Sequence, residues 1–142
     1  MIKDPITLLK FEHSVFKIRF GIILSLLNKC EDEAFKFFEE THSFIVRWHA
    51  VIEDKFIFPA YGEKAMPLSN DHKLIEKYGN NIIQQRKKEW VERYINIVLD
   101  HNKNEETMLF TEEKDIYDSW RRIIEYYKNY PEYSRITGIE LT

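Results

Sequence analysis

The sequence predicts an all-α protein, an up-down-up-down four-helix bundle with an additional C-terminal helix. Residues 1–112 are expected to form the bundle, and residues 113–142 a helix and tail packed on the same domain. Three observations predict this. Apolar side chains recur at three- and four-residue spacings over long stretches, which places them on one face of a helix. Only four Gly and four Pro punctuate the chain, too few for a succession of short strands and turns. At 142 residues with 44% apolar and 15% aromatic content, the chain can bury one substantial core and has no length for two.

The first helix is expected over about residues 5–28. Asp4 offers a capping carboxylate and Pro5 suits the first helical position, and Ile6, Leu8, Leu9, Val15, Phe16, Phe20, Ile23, Leu24 and Leu27 continue an apolar stripe. After a polar break at 29–32, Phe35, Phe38, His42, Ile45, His49, Ile52 and Phe56 mark a second helix that ends at Pro59. Residues 61–67 read as a connection. Ser69, Asn70 or Asp71 then caps a third helix carrying His72, Ile75, Tyr78 and Ile82, which Gly79 weakens without ending. The polar stretch 84–89 has no Gly or Pro to stop a helix, but length requires a turn there, and a fourth helix then runs from about Trp90 to Phe110 with Tyr94, Ile97, Val98, His101, Glu105 and Leu109 on one side. A shorter helix over about 114–130 stops at Pro131, and the last residues form a tail or packing arm.

Composition narrows the function. The formal charge is −3, from 21 basic and 24 acidic residues mixed along the chain, so no basic face is offered to nucleic acid or to an anionic membrane. Cys30 is the only cysteine, which excludes an internal disulfide framework and a cysteine-rich zinc or iron–sulfur site, and suits a reducing cytoplasm. The N-terminus lacks a secretory pattern and no run reaches membrane-spanning length, so a soluble, cytoplasmic protein is expected. The oligomeric state stays open.

Three of the five histidines are followed four residues later by glutamate: His49 by Glu53, His72 by Glu76, and His101 by Glu105. Four residues turn an α-helix by about 400°, so each pair stands one side chain above the other and can reach the same point. Surface ion pairs would give the same spacing. The neighbours favour an inward face instead, because His49 lies on the stripe of Ile45 and Ile52, and His101 between Val98 and Leu109. A buried His–Glu cluster without metal carries costly desolvated charge, whereas metal ions neutralise the carboxylates and use the imidazoles as ligands.

Axial position agrees. With a rise of 1.5 Å per residue, His13 lies about 12 Å from the start of the first helix, and His49 and His101 about 14 Å from the ends of the second and fourth. His72 falls at roughly 5 to 8 Å from the start of the third. Each half of the chain then supplies two imidazoles and one carboxylate: His13 with His49 and Glu53, and His72 with His101 and Glu105. That count suits a near-symmetric two-metal site if the glutamates bridge.

The order His, His-x-x-x-Glu, His, His-x-x-x-Glu resembles the HHE cation-binding branch of the hemerythrin-like proteins. Asp4-Pro5-Ile6, Leu9 and Glu12-His13 are similar to that family's opening, His49 to Glu53-Asp54 and Phe58-Pro59 to its second helix, and His101 to Glu105-Glu106 and Leu109-Phe110 to its fourth. The resemblance covers residues 4 to about 110. It implies that His13, His49, His72 and His101 are terminal ligands and that Glu53 and Glu105 bridge two iron ions, joined also by an oxo or hydroxo group. It further implies a small-molecule partner such as O2, NO or peroxide, bound for sensing, carriage, oxidative-stress response or iron handling.

Two positions depart from the oxygen-carrying members. Glu76 stands where they have a second histidine on the third helix, and both Glu105 and Glu106 follow His101. Two six-coordinate irons offer about twelve positions, of which bridging groups take about six and four histidines leave about two free. Glu76 either fills one of these or is solvated surface. His42, two turns before His49 and about 10 Å away along the helix, is too far to share a metal easily and is expected to be structural or to support a ligand from behind. Asp54 and Glu106 are placed to support ligands from behind, and Glu12 is expected to be exposed. Trp48, Phe56, Phe58, Tyr78, Trp90 and Tyr94 read as core. Ferritin-like proteins use Glu-x-x-His, the reverse order, and a zinc hydrolase would show His-Glu-x-x-His. A di-iron redox enzyme of peroxidase or oxidase type is the nearest alternative, and a helical protein-interaction module the one from another class.

Overall fold

The computed structural model describes residues 1–112 and 114–142, the side chain of Tyr117 apart. Among the described residues every regular element is helical. The first helix, α1, spans Pro5–Leu27 and is capped as its sequence suggests, with Asp4 Oδ1 accepting from the Thr7 N–H at 2.9 Å. The second long helix opens as α2, Glu31–Phe44, with Glu31, Asp32 and Glu33 in its first turn, where negative charge is favoured by the helix dipole.

That helix then departs from regular α geometry twice. Residues Ile45–His49 form a π-helical turn in which the Ala50 N–H reaches back to the Ile45 carbonyl. After the short α3, Ala50–Ile52, a second π turn spans Glu53–Ile57 and the Phe58 N–H reaches back to the Glu53 carbonyl. Each wide turn delays the helix by one residue, and such turns gather at functional positions. The consequence is visible in the core. The regular spacing expected Phe56 to point inward, yet Phe56 is half-buried and Ile57 is fully buried in its place.

A 3-10 segment, Phe58–Ala65, follows and turns at Gly62, whose φ of 63° lies in the left-handed region that glycine adopts without strain. Helix α4 spans Met66–Gln85 with Pro67 in its first turn, so it begins before Ser69, earlier than the expected cap. His72 is therefore about 9 Å from its start, closer to the level of the other histidines. Arg86, at φ 53°, closes α4, and after a 3-10 turn at Lys88–Trp90 helix α5 runs over Val91–Met108. Among these, α1 packs against α2 and α5, and α4 against α2 and α5.

Two further helices, α6 at Tyr117–Tyr127 and α7 at Tyr133–Thr137, cover one side of this group. The sequence anticipates α6, although it starts three residues later than expected, and leaves α7 as an undefined arm. Ser119 Oγ donates to the Phe56 carbonyl at 2.7 Å, within the second π turn. Arg19, itself buried, donates to the Ile136 carbonyl and to Glu40, and Arg135 pairs with the same Glu40, so α7 is tied to α1 and α2. The core joins all these elements through Phe16, Phe38, Phe44, Trp48, Ile57, Ile75, Tyr94, Ile123 and Tyr133.

Gly79, buried in the middle of α4, has a packing role. A Cβ there would lie 2.1 Å from Cε1 of His42, so the imidazole occupies the space a side chain would need. Gly79→Ala is expected to gain helix propensity but lose about 1–3 kcal/mol through displacement of the buried ring. Chemical denaturation checks it, and an unchanged or raised midpoint would contradict the fit.

Candidate metal centre

Four imidazoles and two carboxylates converge inside the helices. His13 comes from α1, His49 and Glu53 from the π-turned second helix, His72 from α4, and His101 and Glu105 from α5. All six side chains are buried, and Glu53 and Glu105 are completely so. They fall into two overlapping groups, His13, His49, Glu53 and Glu105 on one side and Glu53, His72, His101 and Glu105 on the other. Within each group the nearest nitrogen and oxygen atoms lie within 4.8 Å of one another. The two glutamates belong to both groups.

The contacts follow the same division. His13 Nε2 is 3.2 Å from Glu105 Oε1 and His49 Nε2 is 3.3 Å from Glu53 Oε2. His72 Nε2 is 2.9 Å from Glu53 Oε1 and His101 Nε2 is 3.0 Å from Glu105 Oε2. Several of these close approaches lack hydrogen-bond alignment. The Nε2 atoms of His13, His49 and His101, Oε2 of Glu53 and both oxygens of Glu105 are buried without a hydrogen-bond partner. Buried polar atoms are nearly always satisfied, and six unsatisfied atoms within these two groups are a donor set that bound cations would satisfy. The donor set of imidazole and carboxylate suits iron or another first-row transition metal.

The other nitrogen of every imidazole is held by a carboxylate. Glu12 Oε1 is 2.7 Å from His49 Nδ1, Asp54 Oδ2 is 3.0 Å from His72 Nδ1, Asp71 Oδ2 is 2.9 Å from His101 Nδ1, and Glu106 Oε2 is 2.7 Å from His13 Nδ1. In each case Nδ1–H donates to the carboxylate, and Nε2 is directed at the cluster, where His72 Nε2–H donates to Glu53 Oε1 at 2.9 Å and where a bound cation would take the place of such a hydrogen. The four contacts also close a ring. The first helix holds the histidine of the second, the second that of the third, the third that of the fourth, and the fourth that of the first. Each supporting carboxylate is the chain neighbour of a cluster residue on its own helix: Glu12 of His13, Asp54 of Glu53, Asp71 of His72, and Glu106 of Glu105.

A family model, the hemerythrin HHE cation binding domain, matches residues 4–112. The chain belongs to this family. No curated protein and no solved structure matches the chain. Among the described residues no helix is long and apolar enough to cross a membrane. For a member of the HHE family, the buried His/Glu cluster is the place where a cation fits.

Glu12 overturns its expected exposure. It is fully buried and accepts three hydrogen bonds, from His49 Nδ1, from Trp48 Nε1 at 2.8 Å and from the Tyr133 hydroxyl at 2.7 Å. Spacing on α1 alone could not reveal this, because the three donors arrive from two other elements. Asp71, read from sequence only as a helix cap, supports His101. Asp54 and Glu106 hold histidines from behind, as anticipated. Glu76 is exposed, and Glu105 rather than Glu106 faces the cluster. His42 lies outside the cluster, bonded to Tyr94 and Asn80.

In the absence of metal, protons take its electrostatic place. Burial alone would lower the affinity of His49 for a proton, but the Glu53 charge and the Glu12 contact raise its pKa to about 10. Against the same burial, Asp54 and Glu53 raise His72 to about 9, and Asp71, Glu105 and Glu53 raise His101 to about 12. Of the paired carboxylates, Glu53 is held well below its usual range by the His49 charge despite its burial, and Glu105 is pushed up by burial and by Glu53. The histidine values lie above the ordinary 6.5, so this stabilisation is complete below about pH 6.5 and fades as pH rises through 9 and beyond. Metal-free protein is expected to melt at falling temperature from about pH 7 to about pH 10, and metal-loaded protein to resist that fall because metal binding replaces the protons. A metal-free melting temperature that climbs over this range would contradict the assignment.

Proposed function

We propose that the protein is a non-haem di-iron protein that binds a small oxidant, O2, NO or peroxide. In this reading His13 and His49 bind one iron, His72 and His101 the other, and Glu53 and Glu105 bridge the pair. The observation that carries it is the division of six buried side chains into two four-residue groups that share both glutamates, each imidazole presenting Nε2 inward and its Nδ1 on a carboxylate. The up-down-up-down arrangement with the C-terminal helices packed on it is part of the proposal, supported by the closed ring of support from helix to helix.

When bound, an iron pair would supply reversible electron exchange and exchangeable coordination positions. The protein residues do the rest. The carboxylate behind each imidazole fixes its tautomer and orientation and makes Nε2 a better donor. The apolar surroundings, including Phe16 against His49 and Phe58 stacked on His72, limit water at the centre. A cavity of about 200 Å³ lies beside His72, lined also by Ala50, Val51, Asp54, Ile75 and Glu76, and it has room for a diatomic molecule or peroxide to approach.

With Glu76 exposed, four terminal histidines leave about two iron positions for exogenous ligands, which favours sensing or redox response over simple carriage. Glu76→Gln is expected to leave iron stoichiometry and the optical spectrum unchanged, and loss of iron in that variant would make Glu76 a ligand. The function itself is tested by metal analysis with optical spectra under air, oxygen-free buffer, NO and peroxide. About two irons per chain and ligand-dependent bands are expected. Protein that takes up no iron pair from iron-rich medium would sink the reading, and sustained peroxide turnover would place it among the enzymes.

A further inference from the structure

His42 and Tyr94 form a second buried polar unit that the proposed metal centre does not use. The Tyr94 ring is 1% exposed and enclosed by Phe20 and Phe38, and its hydroxyl lies 2.6 Å from His42 Nδ1. The other imidazole nitrogen, Nε2, is 3.0 Å from Asn80 Oδ1. An amide oxygen can only accept, so Nε2 carries the hydrogen and Nδ1 is the bare nitrogen that receives the Tyr94 O–H. The unit therefore runs in one direction, phenol to imidazole to amide.

Three features make it more than a satisfied core histidine. The ring of His42 occupies space on α4 that only Gly79 leaves open, so helix geometry is adapted to it. Burial lowers the pKa of His42, against smaller opposing effects of Asn80 and Glu76, so Nδ1 is free to accept a proton at neutral pH. Finally, His42 and Asn80 border a cavity of about 340 Å³ whose charged groups are Glu39 and Arg47 from the second helix and Glu76 from α4. A buried phenol is thus linked to a solvent-facing space by one imidazole.

The same phenol is linked to the metal centre by rings. Tyr94 touches Phe20, Phe20 touches Phe16, and Phe16 meets His49 edge-on with centroids 4.8 Å apart. Along α5, Tyr94 stands two turns, about 10 Å, before His101.

We propose that Tyr94 is a redox-active tyrosine that donates one electron toward the metal centre while its proton passes to His42. The inference rests on the di-iron reading. The Tyr94 O–H bond breaks and an N–H bond forms at His42 Nδ1, leaving a neutral tyrosyl radical and an imidazolium. The oxidant is hydrogen peroxide, which becomes two waters by taking two electrons, one from Tyr94 and one from the iron pair, with two protons from solvent. Two equivalents of an external one-electron reductant of the thiol or ascorbate class restore the phenol and the iron pair, and His42 returns the proton to Tyr94. Such a device would remove an oxidising equivalent from the ligand histidines.

The test uses the iron-loaded full chain. Iron content and the optical spectrum are recorded first, and failure there counts against the di-iron reading alone. Rapid mixing with hydrogen peroxide and freezing is expected to give a tyrosyl electron paramagnetic resonance signal that narrows with ring-deuterated tyrosine. Tyr94→Phe, which keeps the ring packing, is expected to lose most of that signal with its iron retained. A full signal in Tyr94→Phe, its loss in Tyr133→Phe instead, or no radical in protein holding both irons would overturn the proposal. In metal-free protein, ultraviolet photolysis at low temperature should give a Tyr94 radical whose g-values are shifted by a hydrogen bond from His42, and the shift should vanish in His42→Leu. Identical spectra for the two would overturn it whatever the iron content.

Discussion

Glu53→Ala is expected to abolish uptake of both metal ions rather than one. Glu53 lies in both four-residue groups, with one oxygen toward His49 and the other toward His72 and, at 4.0 Å, His101. Its removal takes a shared anion from each half. In metal-free protein the same change leaves imidazolium groups buried beside too little negative charge, a loss of about 3–5 kcal/mol by analogy with broken buried pairs. In loaded protein the stability that metal binding lends to the folded state is lost as well. Metal analysis and calorimetry check both parts, with His101→Ala as a companion that spares the carboxylates. Full iron occupancy in Glu53→Ala would contradict the bridging role.

The second large effect falls on a residue that touches no metal. Glu12→Ala is expected to leave three buried donors without an acceptor: His49 Nδ1, Trp48 Nε1 and the Tyr133 hydroxyl. At about 1–3 kcal/mol for each orphaned group the total is on the order of 3–6 kcal/mol, since the three share one cavity and their losses are not additive. Metal affinity is expected to fall about 10- to 100-fold as His49 loses its orientation. The loss should also loosen α7, because Tyr133 is held by the same carboxylate, and hydrogen exchange across Tyr133–Thr137 would report it. A variant that melts with wild type and binds iron equally well would show that Glu12 is an incidental neighbour.

The expectations from sequence divide by the distance over which the physics acts. Helix starts depend on local chemistry, and Asp4-Pro5 was legible for that reason, whereas the turn before Trp90 has no Gly or Pro to announce it and only the chain's length demanded it. The inward face of His49, Glu53, His101 and Glu105 was legible because a helical period fixes which residues share a side. His13 and His72 needed the added argument of axial level. Phe56 marks the limit of such reasoning, since a π turn adds a residue that no apolar period announces, and Ile57 takes its place in the core.

The chain by itself therefore determined the all-helical class, the His and Glu set directed inward, and the family to which they belong. Only the tertiary structure decided which carboxylate supports which imidazole. Each of the four contacts crosses from one helix to the next, so an acidic residue beside a ligand in the chain supports a different ligand in space. The burial of Glu12 was decided in the same way, by a tryptophan and a tyrosine that approach from other helices. Helical periodicity is a property of neighbouring residues, whereas the partner of a buried charge is set by packing among elements far apart in the chain.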